Sequence, residues 1–398
     1  MLRRLTSAVG GVALAALVGI LGGFVSAAFI GSLNWSTSTR MNHDWLIGLM
    51  PIGGLLVGLA YHYLGHSVVA GNNLVLDEIH EPGAGLPARM APMVYGGSVA
   101  SHLVGASVGR EGAAVQITAS ITDTIGRMFK PSEHMRRLLL VSAVAAGFGA
   151  MFGVPVAGAI FAIEVQHRGR PKYDYVMYAL TASILGDRIV RELDIKHLST
   201  PQLPQIDANF ALVWRVVLAS IVFALVAIAF IKSVHWVKDR AAQFIKWSPA
   251  RPVVGALMLL SLTAVADTRD YLGLSTHIAE RALWGAVGLT AIAFVWKLLF
   301  TSVSLGTGFV GGEVLPVFII GALAGAQTGR LLDASIPLFA ALGFVGVFAA
   351  AANTPIACLF IGVELFGSGA IVPMAIVCGL AYALSGESSI YAAQRTHR

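Results

Sequence analysis

The sequence predicts an all-α polytopic membrane protein with broken helices, and three observations carry that expectation. Only 12% of the 398 residues are charged and 56% are hydrophobic, where a soluble domain carries about 25% charged residues. The mean hydropathy is +0.76. Apolar stretches follow one another with short charged or Pro/Gly loops between them, many near the ~20 residues that a spanning helix needs. These features argue against a water-soluble enzyme. They also argue against a nucleic-acid partner, because the net charge of +6 comes from basic residues scattered over short loops.

Taken in order, the first apolar run extends from Ala8 to Ile30 behind Arg3 and Arg4. Secretory signal cores span about 7–15 residues, so this run reads as a first transmembrane helix whose basic start stays in the cytoplasm. Further apolar segments fall at 45–64, 90–107, 113–128, 138–164, 173–191, 210–233, 252–266, 280–305, 315–332, 338–365 and 370–385. Several, 113–128 above all, are too short for ~30 Å of hydrocarbon at 1.5 Å per residue. Non-helical backbone survives at that depth only inside protein or beside a cavity, so the breaks point to an internal binding site. No hydrophilic block is long enough for a soluble domain. A single integral transport domain over 1–398 is therefore expected, without a cytoplasmic regulatory domain. Cys358 and Cys378 lie in apolar segments and offer neither a disulfide framework nor a metal site, and no cofactor is expected.

Approximate halves, 1–200 and 201–398, repeat one another. Pro155 to Glu164 lies over Pro355 to Glu364 at an offset of 200, with Phe148 over Phe348 upstream. A Gly-flanked glutamate precedes each match, Gly109-Arg110-Glu111-Gly112 and Gly311-Gly312-Glu313-Val314, at an offset of 202. Repeated halves with interrupted helices are typical of transporters whose substrate site lies between the repeats.

Glu111 falls at the start of a short helix. It is either a carboxylate held by free N–H groups and Arg110, or the occupant of an anion site built from those groups. The run Gly306 to Pro316 is rich in glycine and leads into an apolar helix, an arrangement that lets backbone N–H groups converge on a small anion or lets helices pack closely. Gly105-Ala106-Ser107-Val108-Gly109 fits the G-x-S-x-G pattern of hydrolases. With His102 nearby it defines a distant alternative, an intramembrane serine hydrolase. Asp77, Glu78, His80 and Glu81 lack metal-ligand spacing and read as a charged face at the membrane boundary.

With its Gly-Arg-Glu-Gly motif, its Gly-rich run before Pro316, its twin Pro-to-Glu segments and Tyr391, the chain resembles the CLC family of chloride channels and transporters over nearly its whole length. The resemblance implies two inverted repeats and a homodimer in which each subunit has its own anion pathway. It also implies that Glu111 is the gating, proton-carrying glutamate. Two departures from the chloride-handling members resemble the fluoride-specific branch, CLC-F. Gly71-Asn72-Asn73 stands in place of G-S-G, and Glu313 stands within the Gly-rich run. Val165 replaces the glutamate that follows Glu164 in chloride/proton exchangers, and Leu315 replaces the branch's frequent threonine.

The resemblance then implies a fluoride/proton antiporter, a secondary active transporter and not an enzyme, in a bacterial inner membrane, where it confers fluoride resistance. Anion contacts are expected from Asn72, Glu313, Tyr391 and the backbone around Gly112 and Val314, supported by Arg110, Asn73 and Lys297. Of the two asparagines Asn72 is preferred because it directly follows the glycine. A charged Glu313 would repel fluoride, so it is expected to be protonated, salt-bridged or turned away; Lys297 is a candidate partner for it, and a lysine snorkelling to the membrane surface is the competing reading. The alternative is a chloride/proton exchanger or a passive anion channel on the same scaffold.

Overall fold

A computed structural model describes residues 2–286, 288 and 290–395. Seventeen α-helices form the described chain, and no β-strand occurs among those residues. The first half contains α1 (Leu2–Asn42), α2 (Trp45–Gly48), α3 (Met50–Leu64), α4 (Asn72–His80), α5 (Met90–Val104), α6 (Glu111–Met128), α7 (Glu133–Phe152), α8 (Pro155–Glu164) and α9 (Val176–Glu192). The second contains α10 (Phe210–Phe244), α11 (Ala250–Ala266), α12 (Thr276–Leu283), α13 (Ala293–Thr307), α14 (Val314–Leu331), α15 (Ile336–Ala352), α16 (Pro355–Phe366) and α17 (Ile371–Leu384). Apart from the short α2, each helix of the first half has a counterpart in the same order in the second, from α1 with α10 to α9 with α17.

Several apolar runs prove to be two helices. The run 138–164 breaks at Gly153, where φ is 78°, and the run 338–365 breaks at Asn353, where φ is 55°. Pro155 and Pro355 then open α8 and α16, because proline has no N–H to offer and suits only a helix's first turn. The run 280–305 likewise divides into α12 and α13. Helix α4 had no apolar segment to announce it, since Asp77, Glu78 and His80 dilute its hydropathy. Its buried Val75, Leu76 and Ile79 still give it an apolar face.

Burial separates the core from the lipid-facing shell. The apolar windows of α7 and α14 are 89% and 83% buried, whereas those of the long α1 and α10 are 50% and 39% buried. Close packing in the core depends on small residues, as in many membrane bundles. A Cβ on Gly343 of α15 would stand 2.8 Å from Gly325 Cα of α14.

The repeats interlock at α8 and α16. The Glu164 carboxylate, at the end of α8, accepts from Ile356 N at 3.0 Å and Ala357 N at 2.7 Å, in the first turn of α16. Reciprocally, Glu364 of α16 accepts from Val156 N at 3.0 Å and Ala157 N at 2.8 Å in α8. Each repeat thus supplies the carboxylate that satisfies first-turn N–H groups of the other, which otherwise have no intrahelical partner. The Pro-to-Glu match in sequence records this exchange. Glu364→Ala should remove two bonds to a charged group, worth about 1.5–3 kcal/mol each. A lower unfolding midpoint in detergent is expected, with Glu364→Gln less affected; an unchanged midpoint for Glu364→Ala would contradict the interlock.

Candidate functional site

The site is assembled where the second junction between the repeats brings α6 and α14 together. Gly109 and Gly312 form an antiparallel bridge, Gly109 N donating to Gly312 O at 2.6 Å and Gly312 N to Gly109 O at 2.8 Å. Glycine suits both positions: a Cβ on Gly109 would collide with Pro316 Cδ at 2.6 Å, and one on Gly312 would press on Gly112 N at 3.0 Å. Two residues after each bridging glycine a helix begins, α6 at Glu111 and α14 at Val314. The bridge and the starts of α5/α13 and α6/α14 all share an offset of 203 (312−109, 293−90 and 314−111). The structure therefore corrects the offset of 202. Val314 is the counterpart of Glu111, and Glu313 is the counterpart of Arg110.

Glu111 is fully buried. Its carboxylate turns back to Arg110, receiving Arg110 Nε on Oε1 and Arg110 N on Oε2, both at 3.3 Å. Asn72 is the first residue of α4, behind Gly71, whose φ of 57° favours glycine. Neither asparagine caps the helix. Asn72 Nδ2 donates to Glu313 Oε1 at 3.2 Å, while Asn72 Oδ1 is buried without a partner. Asn73 Oδ1 instead accepts from Ala393 N at 2.9 Å, which ties down the segment carrying Tyr391. Asn353 holds the same segment through Gln394 Oε1 at 2.9 Å, and Ile390 N donates to Ala351 O at 2.9 Å.

Asn72, Gly112, Val314 and Tyr391 meet around a cavity of about 20 Å³, room for roughly one water-sized species. Phe148, Phe161 and Val165 form its apolar wall. The Phe148 and Phe161 rings stack at 4.2 Å, Phe161 meets Tyr391 edge-on at 6.2 Å, and Phe148 stacks on its repeat mate Phe348 at 6.5 Å. The wall was not anticipated as part of the site; the Phe148/Phe348 coincidence between the halves was the available signal. On one side lies a cavity of about 370 Å³ that includes Asn72, Asn73, Gln116, Glu313 and Tyr391. Another, of about 560 Å³, is bordered by Arg110 and shares no residue with the first. Glu111 lies in the chain between Arg110, on the larger cavity, and Gly112, on the small one.

Lys297 is not the partner of Glu313. Its fully buried amine donates to Ser107 Oγ at 2.8 Å, Ser275 Oγ at 2.8 Å, Gly273 O at 2.9 Å and Tyr271 O at 3.3 Å. Glu313 has Asn72 and forms no ion pair among the described residues. Ser107 is buried under that amine and bonded to Thr301, and His102 Nδ1 faces Ser98 O at 2.7 Å. No serine–histidine pair exists there. In the acidic cluster, Glu78 is committed to Arg136 at 2.6 Å and to the N–H groups of Gly83 and Gly85.

The pattern described as voltage gated chloride channel matches residues 53–386. The chain belongs to this family. It is 40% identical over 389 residues to a chloride/fluoride channel protein of Pseudomonas syringae pv. tomato, covering 96% of this chain and 86% of that one. A crystal structure of a CLC-type fluoride/proton antiporter superposes with a TM-score of 0.94 at 30% identity, covering 98% of each chain. A slow cyanobacterial Cl⁻/H⁺ antiporter shares the fold, with a TM-score of 0.78 at 19% identity and 94% coverage of each chain. The family fold of inverted repeats and broken helices is thus present, with Gly109 and Arg110 leading into α6 at Glu111.

Space at Gly112 offers a test of the small cavity. A Cβ there would stand 2.8 Å from Asn72 Nδ2. Gly112→Ala should fold, since the clash is with a movable side chain, yet push Asn72 off its position. Halide binding by calorimetry is expected to weaken by roughly tenfold; unaltered affinity for both fluoride and chloride would remove this cavity from an anion path.

Proposed function

We propose that the chain is a homodimeric secondary active transporter, not an enzyme, that exports fluoride in exchange for protons across a bacterial inner membrane and so confers fluoride resistance. The observation that carries this reading is the Asn72–Glu313 bond beside the small cavity, with Glu111 at the adjacent helix start. A serine hydroxyl at the start of α4 would present one donor; a carboxamide presents two. Fluoride gives up strong hydration and needs dense, short hydrogen bonds in return. First-turn N–H groups around Gly112 and Val314, the Asn72 carboxamide and the Tyr391 hydroxyl supply donors in a dry site. The likeness to the CLC-type fluoride/proton antiporter and to the chloride/fluoride channel protein supports the same reading.

Glu111 carries the proton. As a carboxylate beside Arg110 it blocks the route between the two larger cavities; once protonated it loses the attraction to Arg110 and gives way to the anion. Glu313 cannot face fluoride as a bare carboxylate. Asn72 donates one hydrogen to it and keeps the other for the anion. Arg110 holds Glu111, and Asn73 holds the Tyr391 segment in register.

Glu111→Gln keeps shape and hydrogen-bonding capacity without the titratable proton, so proton-driven uphill fluoride movement should vanish in proteoliposomes; persistence of pumping would remove Glu111 from the proton path. Asn72→Ser tests selectivity. Parallel fluoride and chloride efflux should show the F⁻/Cl⁻ flux ratio falling about tenfold, equivalent to ~1.4 kcal/mol of discrimination. An unchanged ratio would make Asn72 structural, and wild-type chloride flux equal to that of fluoride would favour a chloride exchanger or passive channel.

A further inference from the structure

Lys297 is the one charged residue among the largest fully buried side chains of the described residues, and the mechanism above leaves it unused. It sits on α13 with no exposed surface and no carboxylate partner among the described residues. A buried cation is tolerated only when oxygens replace its water. Here four do, in a cage closed around the amine. The two carbonyls, of Gly273 and Tyr271, can only accept. Both serine hydroxyls have neighbours for their own hydrogens, Ser107 at Thr301 Oγ1 and Ser275 at Leu272 O, so their lone pairs face Lys297. This is a cage of oxygens filled by an amine tethered to the fold.

The cage joins three pieces of chain. Ser107 belongs to the extended link between α5 and α6 and comes two residues before the bridging Gly109. Residues 271–275 form the loop before α12, and Lys297 and Thr301 lie on α13. Gly273 N also donates to Gly105 O at 3.1 Å, a second staple between link and loop. Ser107 N donates to Ser304 Oγ at 2.9 Å, fastening the link to α13. Ser275 and Arg110 both border the cavity of about 560 Å³, so the cage lies beneath its floor.

We propose that Lys297 is a positioning residue for the proton-coupling carboxylate: a buried amine that locks the 105–110 link to the 271–275 loop and so fixes where Arg110 holds Glu111. The inference rests on Glu111 as proton carrier. With the link released, Arg110 and Glu111 lose their fixed approach, and fluoride passes without its proton.

Wild type, Lys297→Met, Ser107→Ala and Glu111→Gln are reconstituted into proteoliposomes, with fluoride electrode and pH traces recorded together. Lys297→Met should lower coupled fluoride flux roughly tenfold and reduce the H⁺:F⁻ ratio. Ser107→Ala keeps the amine and removes one tether; it should reduce the ratio by a smaller factor. Simple loss of folded protein lowers both fluxes in proportion and leaves the ratio intact, so the ratio separates positioning from general damage. Should Lys297→Met fail to fold, Ser107→Ala decides. A wild-type ratio in Ser107→Ala, or in a folded Lys297→Met, overturns the proposal. Glu111→Gln keeps the two readings apart: if it still couples, the carrier assignment fails, whereas a collapsed ratio there beside wild-type ratios in the other two leaves the carrier standing and removes Lys297.

Discussion

Unpaired backbone N–H groups at helix starts inside a membrane are the constraint on which this structure turns. Water cannot reach them there, and each one left unsatisfied is costly. The protein answers in two ways. At α8 and α16 the groups are closed off permanently, because Glu164 and Glu364 reach across from the opposite repeat. At α6 and α14 no such exchange occurs: Glu111 turns back on Arg110, and Glu313 is bonded by Asn72. The first pair of starts is structural. The second has no such carboxylate across the repeats, and the small cavity lies against it.

The same constraint explains the glycines. Helices α6 and α14 begin close together because the links before them pair through Gly109 and Gly312, where a side chain on either would collide with or press on the other link or α6 and α14. Gly112 then leaves space for Asn72 to enter from α4. Small residues at these points are thus a condition for a shared site, beyond their general use in close helix packing.

Much of this was legible in the sequence. Low charge and successive long apolar stretches identified a helical membrane protein, and the match of Pro155–Glu164 to Pro355–Glu364 exposed the repeat through the very residues that interlock it. The family motifs pointed to Asn72, Gly112, Val314 and Tyr391, which the fold brings to one cavity, and to Glu111 next to it in the chain. The rest depended on distance in space. Lys297 finds Ser107 across 190 residues, which no local pattern reports, so the sequence left it between an ion pair with Glu313 and a lysine reaching to the membrane surface, and it is neither. The glutamates matched at 202 because Gly-Glu pairs align well in sequence, whereas the backbone bridge sets the true correspondence at 203. Helix α4 was missed because its polar residues serve neighbouring loops: Glu78 binds Gly83, Gly85 and Arg136, and Asn73 binds Ala393.

We propose that one site between the repeats moves fluoride only when Glu111 moves a proton. The most direct measurement loads wild-type proteoliposomes and bath with equal fluoride, imposes a pH gradient with the membrane potential clamped at zero, and follows fluoride with an electrode. The account predicts net fluoride movement opposite in direction to the proton flow, reversing when the gradient is reversed. Fluoride remaining at equilibrium under the gradient, in vesicles that still pass fluoride down its own gradient, would contradict it.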